Sequence, residues 1–135
     1  MGLERFAEAQ ARSYETAREE IRNGRKRSHW MWYVFPQIRG LGYSANAYYY
    51  GIADRREAEA YLAHPVFGRR LREMTDLLLD LEMSDANEVF GHPDDLKLRS
   101  CMTLFYLVSG EERFQMVLDK FFGGELDGRT VELLG

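Results

Sequence analysis

Cysteine, proline and histidine are scarce in this 135-residue chain, which holds 1, 3 and 3 of them. A lone Cys101 excludes an intramolecular disulfide and a cysteine-built metal framework, and it predicts a reducing, cytoplasmic setting. His29, His64 and His92 do not stand at helical ligand spacing, so no metal is expected. Glycine-rich nucleotide loops, the GxSxG elbow and the HExxH pair are also missing, and no cofactor is expected. No apolar run approaches the ~20 residues of a membrane-spanning helix. The start Met1-Gly2-Leu3-Glu4-Arg5-Phe6 lacks the pattern of a secretory leader, and Phe6 stands where a myristoylation signal wants Ser or Thr.

What is present suits one folded domain over residues 1–135: 45% of the chain is hydrophobic and 13% aromatic, enough to build a core and to exclude disorder. The formal net charge is -4, which argues against a general nucleic-acid partner. That charge is unevenly spread. Residues 1–72 carry 13 basic and 8 acidic side chains, against 5 and 14 in residues 73–135, and the basic excess peaks at Arg22, Arg25, Lys26 and Arg27. Such a pole can steer an anionic partner.

Apolar spacing predicts helices nearly throughout. Residues 3–23 place Leu3, Phe6, Ala9, Ala17 and Ile21 near one face, with Gly24 as a left-handed stop. Asp54 followed by Glu57 resembles a capping box opening a helix through Ala63, and Pro65 suits the first position of the next. There Phe67, Leu71, Met74, Leu78 and Leu81 form a core-facing stripe. A short helix is expected from Ser84 to Gly91. Pro93 then starts one so apolar, through Leu98, Met102, Phe105 and Val108, that it should be central. Glu111 and Glu112 open another that Gly123-Gly124 stops, and residues 129–134 end the chain as a last helical turn or an extended tail. The expected fold is all-α: a compact bundle of about six to seven short helices, packed orthogonally rather than as a coiled coil.

Residues 28–50 stand apart, with both tryptophans and eight of the 18 aromatic side chains. Every position of 30–35 is apolar, so periodicity does not separate helix from strand. The helical surroundings favour a short buried helix capped by Ser28 and ended before Pro36. Gly40 and Gly42 then form a tight loop where backbone can approach a ligand. Arg25, Lys26 and Arg27 precede that helix start, whose unsatisfied N–H groups attract anions. His29, Gln37 and Arg39 add directed hydrogen-bonding groups among aromatic rings, the usual make-up of a small-molecule pocket.

The run Ser28-His29-Trp30-Met31-Trp32, continuing to Phe35-Pro36-Gln37 and Gly40-Leu41-Gly42, resembles the signature of the bacterial and fungal family known as domain of unknown function 1810. Tyr50-Gly51-Ile52, His64-Pro65, Asp94-Asp95 with Lys97, Ser100 with Met102-Thr103-Leu104-Phe105, and Phe121-Phe122-Gly123-Gly124 extend the likeness over nearly the whole chain. The resemblance implies a mainly α-helical single domain and brings no assigned activity or catalytic residue. Some members carry the label calpastatin, which a well-folded composition does not resemble. Cys101 departs from the family pattern, in which a second serine more often follows Ser100.

Residues and resemblance together lead to one expectation: a site between residues 28–42 and the helix of residues 94–103, for a small anionic, ring-containing metabolite such as a nucleotide derivative. In it His29 would donate or exchange a proton, as in metal-independent acid–base hydrolysis or group transfer. Gln37, Arg39, Lys97 and Ser100 would orient the ligand, Arg25 and Lys26 attract it beside Ser28, and Trp30 or Trp32 stack on its ring. The competing expectation is an interaction or self-association module that docks through the aromatic segment 28–50.

Overall fold

The computed structural model describes residues 2–135; Met1, part of the chain start weighed above, lies outside them. Among the described residues nine helices follow in order: α1 (Glu4–Arg22), α2 (Met31–Val34), α3 (Ala45–Tyr50), α4 (Arg55–Ala63), α5 (Phe67–Asp80), α6 (Ala86–Phe90), α7 (Asp94–Ser109), α8 (Glu112–Phe122) and α9 (Gly128–Leu134). The only extended pairing among them is a single parallel bridge between Ile38 and Ile52. The fold is all-α, as the periodicity predicted. It has more helices than the expected six to seven: residues left open between helical turn and tail form α9, and α3 buries none of its residues and so has no apolar stripe to betray it. Ser44 opens α3 by accepting the Ala47 N–H at 3.0 Å. No helix among the described residues is long and apolar enough to cross a membrane.

α7 is the central helix. Leu98, Cys101, Met102, Leu104 and Phe105 on it are all buried, and α4, α6, α8 and α9 pack around it. The core continues through edge-on and stacked rings, with Phe6 and Tyr61 centroids 5.1 Å apart and Tyr61 and Phe67 5.5 Å apart. Burial drives the Cys101 thiol pKa well up, so it is an inert core group and no nucleophile.

Two junctions differ in detail from the expected ones. Asp54 caps α4 by accepting the Glu57 N–H at 2.9 Å, but Glu57 does not close a capping box. Its carboxylate instead accepts the Ala53 N–H and pairs with buried Arg5 at 2.7 Å. Pro65 lies in the turn before α5 rather than in its first position. The cap there is the His64 imidazole: Nδ1 accepts the N–H groups of Val66 at 3.1 Å and Phe67 at 3.3 Å, while the ring stacks 4.0 Å from that of Phe67. This fixes the proton on Nε2.

Candidate functional site: a cleft beside α7

The site is built from the turn that follows α1. Gly24, at φ 77°, sends the chain back so that Arg27, Ser28 and Trp30 surround the Glu20 carboxylate. That carboxylate accepts the N–H of Arg27 at 2.7 Å, the N–H and hydroxyl of Ser28 at 2.9 and 2.5 Å, and the Trp30 indole N–H at 2.9 Å. Burial alone would raise the Glu20 pKa, but these donors outweigh it and bring it down to about 2. The N–H groups of Arg27 and Ser28, just before the helix start, are thus taken up from within the protein. Ser28 does not cap α2, because its hydroxyl is committed to Glu20; Trp30 holds the cap position without a side-chain bond.

Trp30 and Trp32 then part. Trp30 is 1% exposed and packs against Phe35 and Phe90. Trp32 is half-buried and reaches the surface. Asp94, at the start of α7, ties both to the helix through two lysines: it meets Lys26 at 2.8 Å and Lys97 at 3.1 Å. Lys26 sits 5.2 Å from the Trp30 ring centroid, and Lys97 4.1 Å from that of Trp32. Burial would raise the Asp94 pKa, yet the two ammonium groups hold it below the ordinary carboxylate value.

Beside this bridge opens a cleft of about 440 Å³. Trp32 and Gln37 form one wall, Lys97 and Ser100 of α7 another, and Asp127 with Arg129 at the start of α9 a third. Tyr43 stands on the rim, fully exposed. The Gln37 carboxamide bonds to no other described group, whereas its main-chain carbonyl accepts the Ile52 N–H at 2.8 Å. Ser100 donates to the Leu96 carbonyl and to Asp127 Oδ2, both at 3.2 Å.

Of the residues singled out in the sequence, the cleft thus gathers Trp32, Gln37, Lys97 and Ser100. Arg25, Lys26, Ser28, His29, Trp30 and Arg39 do not line it. His29 and Arg25 are exposed, and the His29 carbonyl accepts the Tyr33 hydroxyl at 3.2 Å. Arg39 donates to the Tyr48 carbonyl at 3.0 Å and lies 4.4 Å from the Tyr48 ring centroid. Gly42 lines the cleft and Gly40 does not, and both also make room for protein. A Cβ on Gly40 would meet the Leu133 methyls at 3.3 Å, and one on Gly42 would come within 3.0 Å of Ala47 Cβ.

Asp127, Arg129 and Tyr43 were not legible as site residues. The sequence reading starts its final helical turn or extended tail at Arg129, which leaves Asp127 in a connection; the hint is a capping residue three places before Thr130. A wider groove of about 600 Å³ runs past His64, Arg69, Asp76 and Arg113, but Arg113 is already paired with Asp76 at 3.1 Å and neighbouring Arg72 with Glu111 at 2.7 Å. Among the described residues no three His, Cys, Asp or Glu side chains cluster to hold a metal ion.

A family model described as "Protein of unknown function (DUF1810)" matches residues 1–134. The crystal structure of the conserved hypothetical protein Rv1873 from Mycobacterium tuberculosis has the same fold, with a TM-score of 0.96 and 51% sequence identity over 98% of this chain and 95% of that one. No curated protein matches the chain.

Proposed function

The chain belongs to the DUF1810 family, and we propose that it binds a small anionic compound with a flat ring, a nucleotide or nucleotide-derived metabolite, in the cleft beside α7. Lys97 carries this assignment. Its ammonium is held against the face of Trp32 on the cleft wall, so positive charge and aromatic surface are offered together. Asp94 serves two lysines at once, which leaves a surplus positive charge for a ligand anion to meet. The uncommitted Gln37 carboxamide supplies direction, and about 440 Å³ lies within the ~300–1,000 Å³ of ordinary small-molecule sites. His29 lies outside the lining, so the proposal is one of binding. A single buried thiol suits the cytoplasm as the working compartment.

Thermal denaturation with a panel of nucleoside monophosphates, diphosphates and nicotinamide mononucleotide tests this. A true ligand at a hundredfold its Kd adds about 2.7 kcal/mol of stability. That gain should vanish in Lys97→Ala and Trp32→Ala. A panel without any stabilising compound would remove the proposal.

One observation favours the second reading, an interaction module. Tyr43, Tyr48 and Tyr49 are 101%, 60% and 44% exposed within seven residues of one another. If this patch docks a second copy, sedimentation should show a size that rises with protein concentration; a constant monomer speaks against self-association.

A further inference from the structure

We infer that the ligand of this cleft presents a hydrogen-bond donor, at a point away from its anionic group, to the free carboxylate oxygen of Asp127. This rests on the cleft being the binding site. Asp127 Oδ2 is saturated: it accepts the Thr130 N–H at 3.0 Å, the Thr130 hydroxyl at 2.5 Å and the Ser100 hydroxyl at 3.2 Å. The Asp127 main-chain N–H is bonded to Thr103 Oγ1 at 2.9 Å. The carboxylate is thus pinned from α7 and α9 at once, and its plane is set before any ligand arrives. Its other oxygen, Oδ1, receives no hydrogen bond from a described group, and Asp127 has no ion pair. The nearby Arg129 reaches Glu132 instead, at 3.4 Å.

A helix cap needs only one acceptor oxygen, and Asn or Ser would serve as well. The negative charge also complements the N-terminal end of α9, but the second oxygen goes beyond what the cap requires. Asp127 lines the same cleft as Lys97 and Ser100, which stand one helical turn apart on the facing wall. A carboxylate there repels a bare anion and accepts from an N–H or O–H group. The ligand so selected carries its anion toward Lys97 and a donor toward Asp127. In adenosine monophosphate that donor is either a sugar hydroxyl or the amino group on the ring.

Asp127→Asn is the decisive variant, because its amide oxygen can keep the bonds from Thr130 and Ser100 while its NH₂ replaces Oδ1. The exposed atom changes from acceptor to donor with the cap intact. Calorimetric titration would use adenosine 5′-monophosphate, its 2′,3′-dideoxy analogue and purine riboside 5′-monophosphate, which lacks the amino group. Expected are an unchanged melting temperature for ligand-free Asp127→Asn and a loss of about tenfold or more in its affinity for adenosine monophosphate. On the unaltered protein, a similar loss with the dideoxy compound assigns the donor to the sugar, and with purine riboside monophosphate to the ring. If all three compounds bind the protein and Asp127→Asn equally well, the donor inference falls while the cleft remains a binding site. If none of them binds even the unaltered protein, both fall.

Discussion

The indole N–H of Trp30 donates to the Glu20 carboxylate across 2.9 Å, which ties the aromatic segment to the end of α1. The same carboxylate collects the main-chain N–H groups of Arg27 and Ser28, so one side chain organises the whole turn. Trp30 itself is enclosed, so without Glu20 its indole N–H keeps a partner only where water enters the space the carboxylate leaves.

Glu20→Ala should therefore destabilise the protein by about 2–3 kcal/mol, more than an exposed carboxylate on the same helix, such as Glu15, would. Glu20→Gln, which keeps one acceptor, should cost less. Urea denaturation followed by tryptophan fluorescence measures both. Equal stability of Glu20→Ala and Glu15→Ala would show that the turn does not depend on this carboxylate.

The acid limb of stability should carry the mark of the same residue. The Glu20 pKa is lowered from 4.5 to about 2 in the folded protein, so the folded state holds this proton less readily than the unfolded chain. Its contribution is complete above the ordinary carboxylate pKa and is lost as pH falls from about 4.5 to about 2. The stability gap between the unaltered protein and Glu20→Gln should be largest near neutrality and close over that range. A gap independent of pH between 7 and 2 would contradict the assignment.

Asp94 and Lys97 should behave unequally although they form one ion pair. The Lys26 side chain is 8% exposed, and among the described residues Asp94 is the one carboxylate paired with it. Asp94→Ala strands it and should cost about 2 kcal/mol or more. Lys97→Ala leaves the Lys26–Asp94 pair in place and should cost less than about 1 kcal/mol. Thermal melts of the two variants without ligand check the order; the reverse order would show that Lys97, rather than Lys26, is the structural partner of Asp94.

Gly68 should tolerate no side chain. A Cβ there would stand 2.0 Å from the Leu62 carbonyl oxygen, which is main chain and cannot swing away. Gly68→Ala must push α4 and α5 apart and should cost about 3 kcal/mol, or roughly 10 °C in Tm for a domain of this size. Gly128, whose Cβ would meet nothing within 4 Å, provides the control: Gly128→Ala should leave Tm nearly unchanged.

The long helices were readable because burial on one face repeats every three to four residues. Phe67, Leu71, Met74 and Leu78 of α5 all line the core, and Gly24, Gly91 and Gly123 each take the positive φ that stops a helix. α3 has no inward stripe to reveal it: Tyr48 and Tyr49, which resemble core residues in a sequence, lie on the surface. Hydrophobic pattern reports that rings cluster along the chain, not which of them turn inward.

The site divides in the same way. Periodicity and caps follow from interactions within a few residues, so the all-α architecture and its helix ends are written locally. The pairing of Glu20 with Trp30, of Lys26 with Asp94, and of Ser100 with Asp127 joins residues 10, 68 and 27 positions apart. No local rule orders such partners. Packing of α1, α7 and α9 around one core set the distances, and with them which tryptophan became interior, which charge was spent inside the protein and which was left facing the cleft.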